Sequence, residues 1–533
     1  MNVETQPVRG RGEREAFWLC VTAGVVSVAL RALYLTQSWR IDLSVPRAYV
    51  ATEGLMGIRA HEILAGARPV FLIDGGFFHG SFEAYVAAVA FRLFGESMTV
   101  LRLVPTLQAM LWVVLTGLLA ARLYGKRAGY LAAALIALPA QFVFEWGCTA
   151  WPGCAPVMWL MVGLYVSVLL LERVTAVRAA ALGFVSGVSL WSSLLSLGAL
   201  SIYALTLVAW VRLTRRQWAL LLIAGAIGMA PLIYGNVRYP LASVRALAAR
   251  VRLSLVWHRG FAQLLEEEGR THFFQSTPLF QVLGAQPRHD GRWSVTGSAS
   301  ALFLTVGTVG GAWMSYRRRR QNPLVFRRAM VLLACVGMGV MSGISGFYGE
   351  PVARYSIPLY PAACVLAVGW LVYAWPRSAV PVVALLAVAN AVQLGEPIRA
   401  EPRTPTPVVI DALLGHGLRY GFGADNMYDL VFDSGERVII QPIEWTWIRR
   451  YGDIVLAADR PFYLYRDDQE HKVSYQVFMG YLANRGIQYR RFDVAEYHVL
   501  YDFEPRGSIN AQTIKEMRAE IRQHKDRSRR RLS

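Results

Sequence analysis

Charge is what this sequence has least of. Only 17% of its 533 residues are Asp, Glu, Lys or Arg, against 55% hydrophobic, and the mean hydropathy is +0.34. A soluble chain of this length carries more charge on its surface, so the composition excludes an ordinary soluble enzyme and points to a multi-spanning membrane protein. Cysteine is scarce as well, at 5. Cys20, Cys335 and Cys364 lie inside apolar runs, where a thiol acts as a small hydrophobe. Cys148 and Cys154 flank the short loop from Thr149 to Gly153, and a disulfide is open to them if that loop faces an oxidising compartment. No CxxC and no Cys/His zinc spacing occurs, so no metal site is expected. Walker, HExxH and GxSxG motifs are all missing, which counts against ATP-driven transport by this chain alone. Ionisable side chains inside the apolar runs are few, with Arg31 and Glu145 near their ends. A carrier of protons or ions normally keeps acids or His at mid-membrane, so a transporter is the weaker alternative.

The charge that is present is mostly positive: 55 Lys and Arg against 36 Asp and Glu, net +19. On a membrane protein this implies basic loops and contact with anionic membrane lipid rather than nucleic acid.

Spans need about 20 mostly apolar residues, and about eleven segments qualify. They are 16–36, 98–121, 127–145, 152–171, 178–195, 196–211, 217–235, 298–315, 329–346, 356–374 and 378–395. Arg9, Arg11 and Arg14 precede the first, but Arg31 interrupts it and no small-residue cleavage site follows, so it reads as an uncleaved span. With the N-terminus inside, the short loops at Arg122–Arg127, Arg173–Arg178, Arg212–Arg216, Tyr316–Arg328 and Trp375–Arg377 all fall inside, and all are basic. That orientation puts the loops 37–97 and 237–297 and the C-terminal part outside. Within the second loop, 241–256 has a helical pattern with Leu, Val and Ala on one face and Arg on the other, as in a helix lying on a membrane or a solvated amphipathic helix.

The expected fold is therefore mainly α: a polytopic membrane domain over 1–396, followed by a small extracytoplasmic α/β domain over 397–505 and a basic tail over 506–533. Pro397, Pro402, Pro405 and Pro407 mark the boundary. Strands are expected at 437–440, 461–465 and 497–501, and helices at 425–432 and 475–484. Gly421-Phe422-Gly423 lacks a third glycine and reads as a turn. The tail from Ile514 reads as a basic helix, disordered or bound to anionic head groups.

The first outer loop concentrates the chemistry. It holds Glu53, Glu62, Asp74, Glu83, His79, Arg59 and Arg68 beside a bilayer surface. A carboxylate there can deprotonate a hydroxyl while an apolar lipid tail stays in the membrane, which makes Glu53, Asp74 and Glu83 the catalytic candidates. Glu53 also suits the first turn of a helix over 53–65, where the dipole favours an acid. Glu83 falls on a second surface helix, and Asp74 and His79 in a Gly-rich turn, where either can contact a ligand or simply shape the chain.

Thr52-Glu53-Gly54-Leu55-Met56-Gly57 with His61, Pro69-Val70-Phe71, Gly80-Ser81-Phe82-Glu83-Ala84-Tyr85 and Phe94-Gly95 resembles the start of bacterial GT-C glycosyltransferases. These are the relatives of protein O-mannosyltransferases and of the aminoarabinose transferase that modifies lipid A, similar to glycosyltransferase family 39. Ala353-Arg354-Tyr355-Ser356-Ile357-Pro358-Leu359-Tyr360-Pro361 resembles that family's Arg-Tyr-x-x-Pro-x-x-Pro stretch, and Phe432–Val438 a segment common in its outer domain.

The resemblance implies a polyprenyl-phosphate sugar donor and a hydroxyl acceptor on a glycolipid, cell-envelope glycan or protein. It implies inversion at the anomeric carbon, no cofactor, and a multi-pass protein of the bacterial inner membrane with its N-terminus cytoplasmic and its C-terminal domain extracytoplasmic. The family carries Asp-Glu where this chain has Thr52-Glu53, and that Asp serves as the base. A threonine hydroxyl cannot do so near neutral pH. Either Glu53 takes the role, or Asp74 or Glu83 does, or the chain is a catalytically inactive relative that binds lipid-linked sugars. The donor phosphate needs cationic partners. Arg354 stands first, Arg59 second, and Arg238 and Arg259 follow. His79, Tyr355 and Trp445 are expected against acceptor or sugar, with Trp445 and Trp447 able to stack on a sugar face or pack the domain.

Overall fold

A computed structural model describes residues 11–35, 47–74, 76–150, 153–248, 282–283, 295–344, 356–399, 406–424, 427–444, 446–466 and 472–531. The described residues form two compact units. The first draws on Met1–Gln37, Phe78–Glu83 and Arg102–Ala400, the second on Ser38–Phe77, Ala84–Leu101 and Glu401–Ser533.

The described residues of the first unit are mostly helical. Its long apolar runs carry few charges, and their backbone groups are satisfied within each helix. Four described helices are long and apolar enough to cross a membrane: Arg14–Tyr34, Met98–Tyr124, Cys154–Glu172 and Pro323–Val340. Arg215–Gly228 and Ala230–Arg238 make a fifth if the pair, bent by 61°, is one span. The other expected spans correspond to shorter helices or to helices outside that test. Ala176–Ser192 and Leu197–Trp210 are joined by a 3-10 turn at Leu194–Ser196. The expected span 127–145 is broken into Lys126–Ala137 and Gln141–Trp146. The break is paired from far away in the chain. Asn390 donates its side-chain amide to the Leu138 carbonyl at 2.8 Å, and Ala140 N–H donates to the Tyr360 hydroxyl at 3.0 Å.

Small residues let these helices touch. A Cβ at Gly183 would fall 2.0 Å from the Leu221 carbonyl oxygen, and one at Gly187 would fall 2.2 Å from that of Gly225. Helices Ala176–Ser192 and Arg215–Gly228 therefore meet backbone to backbone, as small-residue interfaces allow. Arg31 and Glu145 are both fully buried. Arg31 donates to Ser27 and lies 4.5 Å from the Phe144 ring centre, while Glu145 accepts from Tyr34 at 3.0 Å and Gln141 at 2.9 Å. Cys148 and Cys154 are not joined in a disulfide, and the Cys154 thiol donates to the Trp146 carbonyl at 3.3 Å. Residues 242–248 of the expected 241–256 helix are helical, and the rest of it lies outside the described residues.

The second unit contains a five-stranded sheet in the order β4-β3-β5-β7-β6. In chain order, β1 (Phe71–Ile73) and β2 (Gly76–Gly80) form a separate hairpin before it. The sheet strands are β3 (Tyr420–Gly423), β4 (Ile439–Pro442), β5 (Phe462–Arg466), β6 (Gln488–Val494) and β7 (Tyr497–Glu504). β3 runs parallel to β4 and β5, and β7 antiparallel to β5 and β6. The reading of Gly421-Phe422-Gly423 as a turn is corrected: it is an inner strand. Gly421 sits beside the Phe462 ring, where a Cβ would come within 2.5 Å, so glycine serves packing rather than a bend. Helices Thr406–Gly415, Tyr428–Asp433, Arg449–Leu456 and Lys472–Asn484 accompany the strands. The tail is helical, as expected, but packed rather than disordered. Helix Ala511–Arg531 buries Ile514, Met517 and Ile521, spaced three and four residues apart along one stripe.

Helix Arg47–Leu64 also belongs to this unit. It starts six residues before Glu53 and has no acid in its first turn, so Glu53 is not the first-turn acid expected. Gly54 and Gly57 let helix Tyr428–Asp433 come close. A Cβ at Gly54 would fall 2.2 Å from the Tyr428 carbonyl, and one at Gly57 would fall 2.5 Å from the Phe432 ring.

Candidate functional site

Each unit holds part of the segment 37–97, and each part is built differently. In the second unit, Glu53 is fully buried on helix Arg47–Leu64, next to Thr52, itself 9% exposed. A carboxylate removed from bulk water interacts more strongly with any charge or proton donor that meets it. The glycines that follow fix its height along the helix against Tyr428 and Phe432.

Arg59, on the same helix, has its donors engaged. Its Nη1 reaches Glu62 Oε2 at 2.7 Å, its Nη2 reaches Asp74 Oδ1 at 2.6 Å, and its Nε donates to the Leu72 carbonyl at 2.9 Å. Burial alone lowers the Arg59 pKa, but the Glu62 and Asp74 carboxylates more than offset that and hold it above the usual value. Both Asp74 oxygens are also taken, since Oδ2 accepts Arg449 N–H at 2.9 Å at the start of helix Arg449–Leu456. Asp74 N–H donates to the Trp447 carbonyl at 2.9 Å. Arg450 carries the network on, with Nε 3.0 Å from Glu62 and Nη2 3.0 Å from Glu436. Arg59 was expected at the donor phosphate and Asp74 at the reacting hydroxyl. The structure brings the two together, but on each other, as a brace between helix, hairpin and the loop carrying Trp447. That loop is packed from the other side by Tyr428, whose ring stacks on Trp447 at 5.9 Å.

In the first unit, the segment Phe78–Glu83 lies on the helical framework. His79 is on strand β2 rather than in the turn expected for it, and it bridges to Ser193, with Nδ1 3.0 Å from the serine Oγ. Gly80 faces the Trp191 carbonyl, where a Cβ would come within 1.9 Å, so only glycine fits. Phe82 meets Trp159 and Trp191 edge-on at 5.5 and 5.8 Å.

Glu83 is 2% exposed, which corrects its expected place on a surface helix. Its Oε1 accepts Ala155 N–H at 3.1 Å. Its Oε2 has no hydrogen-bond partner among the described residues, and neither do Ser81 Oγ and Trp159 Nε1. Burial pushes the Glu83 carboxyl up to about 8, against the pull of its own and Ala155's N–H groups. Near pH 7 it is a neutral acid able to donate a hydrogen bond, and it turns into a base only above that range.

Arg238 is exposed at the end of helix Ala230–Arg238, 5.6 Å from the Tyr239 ring centre. Arg354, Arg259, Tyr355 and Trp445 lie outside the described residues. Among the described residues no group of three or more His, Cys, Asp or Glu is placed to hold a metal ion. Sequence reading missed Ser193 and Trp191 as partners of the loop, and Glu436, Arg449 and Arg450 as partners of Glu62 and Asp74. For Ser193 a signal existed, since the uncharged Ser192-Ser193 pair interrupts an apolar stretch.

No protein-family model matches the sequence, and no curated protein matches it. The fold does match solved structures. ArnT from Cupriavidus metallidurans bound to undecaprenyl phosphate superposes with a TM-score of 0.55 at 14% identity, covering 90% of this chain and 97% of that chain. The apo state of the same protein gives 0.53 at 14% identity, over 87% of this chain and 97% of that chain. These are GT-C structures, and the chain has the GT-C fold that its sequence resembles.

Proposed function

We propose that this GT-C-fold chain moves a monosaccharide from a polyprenyl-phosphate donor to a hydroxyl acceptor at the outer face of a bacterial inner membrane. The observation that carries the reading is the shared fold over nine-tenths of the chain with a protein whose crystal structure holds undecaprenyl phosphate. The buried carboxylates of the first outer loop supply the chemistry. Glu53 is the proposed base: it takes the acceptor proton as the hydroxyl oxygen attacks C1 and the C1–O bond to phosphate breaks, inverting the anomeric centre. The electron pair leaves on the polyprenyl phosphate, whose charge Arg354, Arg238 and Arg259 are proposed to meet. Asp74 is not proposed as the base, because Arg59 and Arg449 occupy both its oxygens. Glu83, neutral near pH 7, is the second candidate and would act by donating a hydrogen bond.

The acceptor is a glycolipid, an envelope glycan or a protein, bound with help from His79, Tyr355 and Trp445. The basic loops would face the cytoplasm and the C-terminal part the other side. Thr52, standing where the resembled family has its aspartate, favours one further reading: an inactive relative that binds lipid-linked sugar without turnover.

The experiment is release of sugar from a radiolabelled polyprenyl-phosphate donor by the purified, reconstituted chain. Transfer that is lost in Glu53→Gln supports the first reading. Donor binding without turnover, unchanged by that substitution, supports the second. Uptake into vesicles without covalent transfer would favour a transporter. Mass spectrometry of envelope glycans and glycolipids with and without the protein would name sugar and acceptor.

A further inference from the structure

The turn between helices Val295–Arg317 and Pro323–Ile344 carries four consecutive arginines, Arg317 to Arg320. None of them makes an ion pair among the described residues. The acids paired elsewhere at helix ends of this unit have other partners: Glu15 takes Lys126, and Glu172 takes Arg122 and Arg328. Instead, three of the arginines lie over aromatic rings. The Arg317 guanidinium carbon is 4.9 Å from the Trp313 ring centre, that of Arg318 is 3.7 Å from Tyr373, and that of Arg319 is 3.8 Å from Tyr316. Trp313 and Tyr316 stack on each other at 6.3 Å. Trp313 is 55% exposed and Tyr373 49%.

Two physical consequences follow from this arrangement. Arg318 also donates to the Tyr373 hydroxyl, and Arg319 Nη1 to the Tyr316 carbonyl at 3.1 Å. A guanidinium has five N–H donors, so those that remain can still meet phosphate oxygens in pairs. Half-exposed Trp and Tyr rings at the end of an apolar helix suit the headgroup level of a bilayer. We propose that this turn binds the phosphate of an anionic phospholipid headgroup, with Arg317, Arg318 and Arg319 as its ligands, held in place by Trp313, Tyr373 and Tyr316. The uncompensated positive charge selects a headgroup of net negative charge over a zwitterionic one, whose own cation would be repelled. The exposed rings select a lipid over a soluble phosphate, because the glycerol and first acyl carbons have apolar surface to lie on.

The test is native mass spectrometry of the full chain released from nanodiscs made with equal amounts of phosphatidylglycerol and phosphatidylcholine. The wild type is expected to retain phosphatidylglycerol in preference, and inorganic phosphate is expected not to displace it. R318Q/R319Q is expected to lower the preference by about fivefold for each arginine lost. R318K/R319K, which keeps the charge but not the planar fork, is expected to fall between the two and serves if the first variant does not fold. R215Q/R216Q, at another basic turn, is expected to leave the preference unchanged. The proposal is overturned by equal retention of the two lipids, by displacement with inorganic phosphate, or by a wild-type preference in R318Q/R319Q or R318K/R319K. Equal loss in R215Q/R216Q would overturn it as well, since that result means unlocalised attraction to the membrane.

Discussion

Arg59 and Asp74 meet at 2.6 Å, and each has its remaining polar atoms occupied by other partners. The pair bridges a helix and the hairpin that follows it, 15 residues apart in the chain. A guanidinium this enclosed, with two carboxylates and a carbonyl around it, acts as a brace.

Breaking that brace should cost stability before it costs chemistry. D74A strips the almost fully buried Arg59 of one charged partner and leaves Arg449 N–H without its acceptor. The expected loss is about 2–3 kcal/mol, moderated by the partial exposure of Asp74. D74N keeps an acceptor oxygen and should lose less. Thermal unfolding of the detergent-solubilised protein measures both. A folded D74N that retains turnover fits the bracing role, and one that is folded but inactive contradicts it.

Glu83 predicts a pH dependence whose sign is fixed. Its pKa in the fold is about 8, above the ordinary 4.5. The folded state therefore holds this proton more tightly than the unfolded state. Its favourable contribution is complete below pH 4.5, fades as pH rises, and is gone above about 8. E83Q, neutral at every pH, should be more stable than wild type at pH 8 by on the order of 4 kcal/mol and equal to it at pH 4. Unfolding midpoints at pH 5, 6.5 and 8 check this, since a one-proton difference widens the gap between the two proteins by about 1.4 kcal/mol per pH unit. Parallel curves for the two proteins would mean that Glu83 is ionised in the fold.

Gly54 and Gly57 set the approach of helix Tyr428–Asp433. G54A places a methyl 2.2 Å from a backbone carbonyl, which cannot move as a side chain can. We expect a loss of about 3 kcal/mol or failure to fold. G57A meets only the Phe432 ring, which can swing aside, and should cost about 1–2 kcal/mol. Yield and thermal unfolding rank the two. The reverse order would mean that the helices are not packed as described.

Much of this architecture is legible in the sequence because apolar length alone fixes a helix. The run 98–121 becomes Met98–Tyr124, and 152–171 becomes Cys154–Glu172. The strand runs 461–465 and 497–501 likewise appear as β5 and β7. Local pattern fails where a distant residue decides. The break after Ala137 depends on Asn390 and Tyr360, the latter 220 residues away from Ala140. Gly421 is a strand residue because Phe462 occupies the space beside it. Glu83 looks like a surface acid until Ala155 and the surrounding helices enclose it. Asp74 reads as an available base until Arg59 and Arg449 are placed on it. Titratable residues in a loop announce chemistry, but only the fold tells which of them are already paired.

Whether Glu53 is the base is decided by transfer from a radiolabelled polyprenyl-phosphate monosaccharide by the purified chain, comparing wild type, E53Q, E83Q and D74N at equal folded concentration. Label should leave the polyprenyl phosphate with the wild type, at a rate that falls about 10²-fold or more with E53Q and stays near wild type with D74N. Transfer at the wild-type rate by a folded E53Q, or no transfer by the wild type from any polyprenyl-phosphate sugar, would contradict that role.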